Sequence, residues 1–579
     1  MHCERRIISG ELHYPRIPPE YWQARLAMAR AMGLNAVSTY MFWNCHEQRP
    51  GTFDFTGPYD VAAFIRLAQT QELDVIVRPG PYVCAEWEYG GLPAWLLKNG
   101  KLAVRSLDER YTDPVRRWLF RLGEELHPYL RSRGGPIVAV QLENEYGAYG
   151  SDTAYLLWLQ ETLREAGFTG VPFYTIDQPS DLARGSLSAL PIAVTFAPGD
   201  PGVQFEVLRK LRPDGPLLCG EYWAGWFDHW GEPHARLDDA LQTADLDWML
   251  AAGVSVNIYM FHGGTNFGFW NGANAFEPSP YQPTTTSYDY QAALDEAGRP
   301  TQKYAAFREC ITRNTGNAPP AVPATPELIG FAPFSLDRYA PLPDLLGPSV
   351  ESERLMTMEE LDQAFGFILY RMSVDARART LLHIEGVRDY ATIMLDGRTV
   401  AHLDRRLNET DALLPAGSQN ATLDILVENC GQINYGPAFS DDCKGIIGEV
   451  SIDGRTPARW KIFSLAFDTF PDVPWRRERT RGPALYGGTL HLETPGDAFF
   501  DVTDIGKGVL WINGRNAGRC WNIGPQTCLY VPGVWLRPGD NDVAVFDVFD
   551  RAESPRIAAG WSATVPMRAQ SSTKPYRAE

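Results

Sequence analysis

Several features are missing from the 579-residue sequence, and each absence removes a class of function. No run of about 18 apolar residues occurs, so no segment is long enough to cross a bilayer as a helix and no membrane partner is expected. Basic residues do not dominate: 53 Lys and Arg stand against 71 Asp and Glu, a formal net charge of −18 that argues against a nucleic-acid surface. Cysteine is sparse and odd in number, nine residues with no CxxC pair, which is the usage of free thiols in a reducing compartment. Cys520 and Cys528 are close enough to face each other across a hairpin, but read as two buried thiols. No HExxH or spaced Cys/His set is present and His46-Glu47 alone is too common to count, so neither a metal nor a cofactor is expected. The glycine-rich Gly263 to Gly268 lacks the Lys and the spacing of a phosphate loop and reads as a tight turn. Met1 leads almost directly into a first strand with no apolar leader, so a cytoplasmic chain is expected and the sequons at Asn408 and Asn420 carry little weight.

What is present is an ordinary globular composition, 44% hydrophobic and 21% charged, in a chain too long for one core. Up to about residue 310, short apolar runs alternate with helical stretches, the pattern of a parallel sheet wrapped by helices. Candidate strands are Ile7–Gly10, Ala36–Tyr40, Asp74–Arg78, Ile137–Gln141, Phe173–Ile176, Ile192–Phe196, Pro216–Gly220 and Ser255–Phe261, and eight is the number of a (β/α)8 barrel. Pro19–Met32, Asp113–Arg131 and Asp152–Ala166 are predicted helices, the first and last stopping at glycines. Pro and Ala then dominate, and from Gly366 onward the periodicity changes to two, with Asp-Gly turns at Asp396-Gly397 and Asp453-Gly454. The expected organisation is an N-terminal TIM barrel over 1–313, a Pro-rich linker over 314–355, two jelly-roll-like all-β sandwiches over 356–481 and 482–567, and a flexible tail over 568–579.

The barrel half is organised around Gly134 to Tyr146, GGPIVAVQLENEY. A buried-strand run ends abruptly there in Gln141, Glu143, Asn144 and Glu145, and the loops past strand ends are where a barrel builds its chemistry. If the strand continued, Glu143 and Glu145 would share a face; a bend after Glu143 would separate them, and sequence does not choose. Leu217 to Trp223 repeats the pattern: an apolar strand, then Glu221, then aromatics. Two carboxyl groups in opposed environments are what acid-assisted displacement at an acetal carbon requires.

Gly134 to Tyr146 resembles the signature of glycoside hydrolase family 35, the β-galactosidases. Ile8 to Tyr14 (ISGELHY), Arg78 to Trp87 (RPGPYVCAEW) and Tyr259 to Gly268 (YMFHGGTNFG) look like the same family, in the same order. The resemblance implies an exo-acting retaining β-galactosidase that removes terminal β-galactose from oligosaccharides or glycans. Glu145 would be the acid/base, Glu221 the nucleophile and Asn144 the amide on the sugar 2-hydroxyl. It further implies a galactose subsite of Tyr40, the Cys84 and Ala85 backbone, Glu86, Asn144, Tyr259 and Tyr290, with Glu86 bonding sugar hydroxyls. Two positions depart from the lysosomal members: Trp223 stands where they carry Tyr, removing a hydroxyl beside the nucleophile, and Gln291 replaces an Asp. Glu143 is the rival acid, otherwise a buried carboxylate with a basic or hydroxyl partner. Aromatics are abundant, and Trp226, Trp230 and Trp270 are candidate walls for the leaving group. The alternatives are the same mechanism on another terminal β-sugar, as in an exo-β-glucosaminidase, or a non-catalytic glycan-binding protein. The β domains are expected to act as structural buttresses or oligomer contacts, with a homodimer the expectation by analogy.

Overall fold

The structure is a computed structural model that describes residues 6–563 except 277–278, 326, 437, 477–478 and 561; the expected tail lies outside the described residues. Eight parallel strands, β1 (Ile8–Leu12), β2 (Ala36–Tyr40), β3 (Asp74–Arg78), β4 (Ile137–Gln141), β5 (Phe173–Asp177), β6 (Ile192–Phe196), β7 (Leu218–Trp223) and β8 (Ser255–His262), close into a barrel in sequence order. Four of these match the sequence reading to the residue. They are short runs of β-branched and aromatic residues buried on both faces, which leaves a strand no polar face to show.

Helix Pro19–Met32 opens with Pro at its first position and ends at Gly33 with φ +102°, the left-handed cap that glycine takes without a Cβ penalty. Helix Thr153–Glu165 is capped by Asp152, whose carboxylate accepts from the N–H groups of Ala154 and Tyr155. The helix expected from Asp113 instead runs Glu109–Leu126, because Asp108 caps it a turn earlier and Pro114 is accommodated inside.

The C-terminal half is all-β. A six-stranded sheet and a three-stranded sheet enclose one core, which includes Ile368, Leu382, Ile384, Ile393, Leu423 and Ile425. A five-stranded and a four-stranded sheet enclose another around Leu336, Tyr486, Leu510, Leu529 and Val543. The Pro-rich stretch is a connection only in its first part. Phe334–Ser335 pairs with Arg556–Gly560, Arg338–Pro341 with Ala484–Leu492, and Ser349–Ser352 with Trp460–Leu465. Proline at Pro341 is tolerated because it closes its strand at the sheet edge. One chain segment thus stitches the two β domains together.

A further, three-stranded sheet orders Ser279–Pro283, Ala273–Phe276 and Ile433–Tyr435, joining a barrel loop to the first β domain. The main hydrophobic cluster is continuous from the barrel interior to Phe367, Phe467, Trp511 and Phe546 of the β domains. The eight described cysteines are buried, Cys520 and Cys528 lying on strands of different sheets.

Candidate active site

Strand β4 ends at Gln141, and the backbone then turns left-handed at Glu143 (φ +60°) and again at Glu145 (φ +44°). This bend separates the two glutamates. Glu143 turns into a closed pocket, where Arg105 Nη2 donates to its Oε2 at 2.8 Å, Tyr155 Oη to its Oε1 at 2.7 Å and the Asn144 N–H to Oε2 at 2.7 Å. Its oxygens are committed to structure, which is the buried, partnered carboxylate that the sequence reading offered as the alternative to an acid. Glu145, fixed through its N–H to the Ile176 carbonyl at 3.2 Å, faces the barrel mouth. The hydrogen bond found at its carboxyl is a long one from Gln178 Nε2, 3.3 Å. Burial and the charge on Glu221 push Glu145 up to about 8.

Glu221, the fourth residue of β7, meets the opposite environment. Arg78 Nη2 donates to its Oε1, the Tyr40 hydroxyl lies 2.7 Å from the same oxygen, and the Trp223 indole N–H donates to Oε2 at 2.9 Å. Trp223, the first departure, therefore still places a donor on Glu221. Sequence reading places Arg78 in a motif but not among the site residues; it is the hub of this wall. Its Nε donates to Gln141 Oε1 at 2.8 Å, its Nη2 to Asn144 Oδ1 at 3.0 Å, its Nη1 lies 3.2 Å from Glu11 Oε2, and its plane stacks 3.7 Å over Tyr40. Burial alone would raise Glu11, but Arg78, His13 and Ser38 overcome it and hold the carboxyl down to about 2. The signal for Arg78 was available in its place, the last residue of β3, where a buried guanidinium needs acidic company.

Asn144 Oδ1 accepts from Tyr40, Arg78 and Gln141, which leaves the amide nitrogen as the group to offer a ligand hydroxyl. Opposite lies the loop after β3, where Cys84, Ala85 and Glu86 are all left-handed, with φ of +59°, +55° and +48°. A run of strained non-glycine residues persists only where surrounding contacts fix it, and such runs gather at binding sites. Arg16 Nη2 donates to the Ala85 carbonyl, and the Tyr288 hydroxyl donates to Glu86 Oε2. Burial raises Glu86 to about 7 against the opposing pull of Tyr288 and Arg16.

Tyr259, 3.1 Å from Tyr288 through their hydroxyls, and Tyr290 close the pocket, their rings 5.5 Å apart. Gly225 permits this closure, because a Cβ there would lie 1.7 Å from the Tyr290 carbonyl. Gln291 accepts from the Leu237 N–H and donates to Asp239, so the second departure is a loop tie outside the pocket.

Of the three candidate walls, Trp226 is half-buried and packs 5.4 Å from Trp223, at the rim. Trp230 is core, and Trp270 stacks on Trp87 and meets Phe365 of the first β domain. Sequence reading missed Tyr435. It comes from the first β domain, pairs with Asn274 in the joining sheet, and has its phenol raised by burial and by the charge on Glu145. No local motif could announce a residue brought in across about 290 positions of chain.

A model described as "Glycosyl hydrolases family 35" matches residues 3–314, "Beta-galactosidase, first all-beta domain" matches 356–466, and "Beta-galactosidase, galactose-binding domain" matches 483–541. The chain is 46% identical over 532 residues to a beta-galactosidase of Xanthomonas manihotis, covering 91% of this chain and 88% of that protein. It is 39% identical to the Mus musculus beta-galactosidase, covering 94% and 89%. It is 37% identical to the Homo sapiens beta-galactosidase-1-like protein 2, covering 93% and 87%.

Proposed function

The chain belongs to glycosyl hydrolases family 35 and is a β-galactosidase, and from that premise we propose how its own residues divide the work. Glu221 attacks the anomeric carbon of a terminal β-galactoside while Glu145 donates its proton to the departing oxygen. The bond from sugar to leaving group breaks and a galactosyl ester to Glu221 forms. Glu145, now ionised, takes a proton from water, which attacks the same carbon and returns Glu221 as a carboxylate. The observation that carries this assignment is the asymmetry of the two carboxyls: a guanidinium, a phenol and an indole converge on Glu221, whereas Glu145 has one long amide contact and is raised by burial.

Ester formation removes the charge on Glu221 and would strand Arg78 in a buried site. Glu11 prevents this by remaining as its counter-ion. Asn144 donates to the 2-hydroxyl, where a hydrogen bond strengthens as charge develops in the transition state. Glu86, Tyr259, Tyr290 and the Cys84–Ala85 backbone select galactose by leaving buried polar groups unpaired when the 4-hydroxyl is equatorial.

Assembly as a homodimer belongs to the same reading. The cross-strand pair Leu381 and Leu413, 48% and 55% exposed on one β domain, offers apolar surface for it, and sedimentation of the full chain tests it. The buried free thiols of Cys45, Cys84, Cys219, Cys310, Cys430, Cys443 and Cys520 support a reducing, cytoplasmic setting.

The test compares chromogenic β-galactoside, β-glucoside and β-glucosaminide with wild type, Glu145→Ala and Glu221→Ala, with and without azide. Cleavage of the galactoside alone, a dead Glu221→Ala and recovery of Glu145→Ala as β-galactosyl azide are expected. An active Glu221→Ala enzyme would sink the assignment.

A further inference from the structure

Three domains meet directly behind the loop that carries Glu86. Arg519, on the strand Arg515–Trp521 of the last β domain, is 3% exposed, and its guanidinium reaches both other domains. Nη1 donates to Asn271 Oδ1 of the barrel; Nη2 donates to the Asn429 carbonyl of the first β domain at 2.7 Å; Nε lies 3.7 Å from Glu428 Oε1. Its charge sits 4.7 Å over the Phe269 ring. Asn271 in turn donates through Nδ2 to the carbonyls of Thr284 and Cys430, each at 2.9 Å.

The chain around Asn271 lies along the sugar loop. The Gly272 N–H donates to the Glu86 carbonyl, and the Glu88 N–H to the Trp270 carbonyl, both at 2.9 Å. A Cβ on Gly272 would come within 2.5 Å of Asn434 Oδ1 and 2.6 Å of the Trp87 carbonyl, so this approach has no slack. The far end of the loop is held in the same way: Glu88 accepts from Asn429 Nδ2 at 3.0 Å and from the Gln432 N–H at 2.7 Å. Residues 270–272 are thus a backbone splint on 86–88, and Arg519 pins the splint. The left-handed run at Cys84, Ala85 and Glu86 is closed locally by one bond, from the Trp87 N–H to the Cys84 carbonyl at 3.1 Å, and three strained residues need an external fix as well.

We propose that Arg519 is a positioning residue for the galactose pocket, acting through Asn271 and the 270–272 splint to hold Glu86 at its place. The last β domain then serves the reaction as a brace on the substrate loop. Arginine suits the post because one planar group sends donors to two domains at once, which an ammonium does not reproduce. The inference rests on the reading that Glu86 binds galactose hydroxyls.

The experiment uses the full chain and measures competitive inhibition by galactose, kcat, KM and thermal midpoint for Arg519→Lys, Glu86→Gln and the double variant. Arg519→Lys is expected to raise the galactose Ki about tenfold, the value of one well-placed hydrogen bond, and to raise KM more than it lowers kcat. The double variant should be no worse than Glu86→Gln alone. A lowered midpoint with unchanged Ki in the folded enzyme, or effects that multiply in the double variant, would overturn the proposal while sparing the role of Glu86. An unchanged Ki in Glu86→Gln would overturn both. Should Arg519→Lys fail to fold, Asn271→Ser leaves the guanidinium in place and carries the same comparison.

Discussion

Glu145 and Glu221 are the same side chain in two environments, and the difference is made by single neighbours. Because burial and Glu221 raise Glu145 to about 8, its proton is present below that pH and lost above it. The value of kcat/KM is therefore expected to fall as pH rises through about 8 in wild type, and this alkaline limb should vanish in Glu145→Gln. That variant should also keep most of its kcat/KM on aryl galactosides whose leaving groups need no proton and lose it on alkyl ones, while kcat falls on both because the base for water is gone. A pH profile unchanged by the substitution would remove Glu145 from the acid role. Trp223 admits a finer test. Trp223→Phe keeps an aromatic wall but removes the N–H to Glu221 Oε2, so kcat should drop about tenfold with KM little changed. If kcat holds, the indole N–H is incidental to the nucleophile.

At the scale of elements, the end of β4 decides which glutamate is which. The bend at Glu143 depends on Arg105, itself enclosed by Tyr82, Tyr146 and Tyr149, with guanidinium-to-ring distances of 4.1, 5.4 and 4.6 Å. Arg105 and Glu143 are 3% and 1% exposed, so removing one partner leaves an uncompensated buried charge. Arg105→Met is expected to cost about 3–5 kcal/mol in urea unfolding, and Glu143→Gln, which turns an amide N–H toward donors and leaves Arg105 without its counter-ion, should cost a similar amount while the folded variant retains measurable turnover. Loss of activity in Glu143→Gln as complete as in Glu145→Gln would restore Glu143 as a candidate acid. The Pro-rich stretch makes a related point. Its prolines mark a connection, yet its later residues enter three sheets, because edge strands need only one partner and tolerate residues that interior strands exclude.

For the molecule as a whole, the domains are joined by buried charge as well as by apolar packing. Lys507 of the last β domain donates to Glu428 Oε2 of the first at 2.5 Å, with the ammonium 4.3 Å over Trp521 and 5.1 Å over Tyr390. Lys507→Met leaves Glu428 with its more distant neighbour Arg519 as the nearest cation. The expected result is a loss of about 3 kcal/mol or more and the splitting of one calorimetric transition into two as the domains uncouple. A single unshifted transition would show that the apolar interface alone carries the coupling.

The sequence by itself determined the barrel, strand by strand, and the two acidic strand ends. Those signals are local: apolar runs of strand length, glycine and proline stops, and a family signature of contiguous residues. It also identified Trp223 as a departure, though not that its indole N–H would donate to Glu221. Tertiary structure decided everything that depends on residues distant in the chain. It separated Glu143 from Glu145 through Arg105 and Tyr155, made Arg78 the hub between Glu11 and Glu221, and brought Tyr435 toward Glu145 and Arg519 onto Asn271 from other domains. A side chain's charge state and orientation are set by what surrounds it in space, and that surrounding is assembled only when the chain has closed.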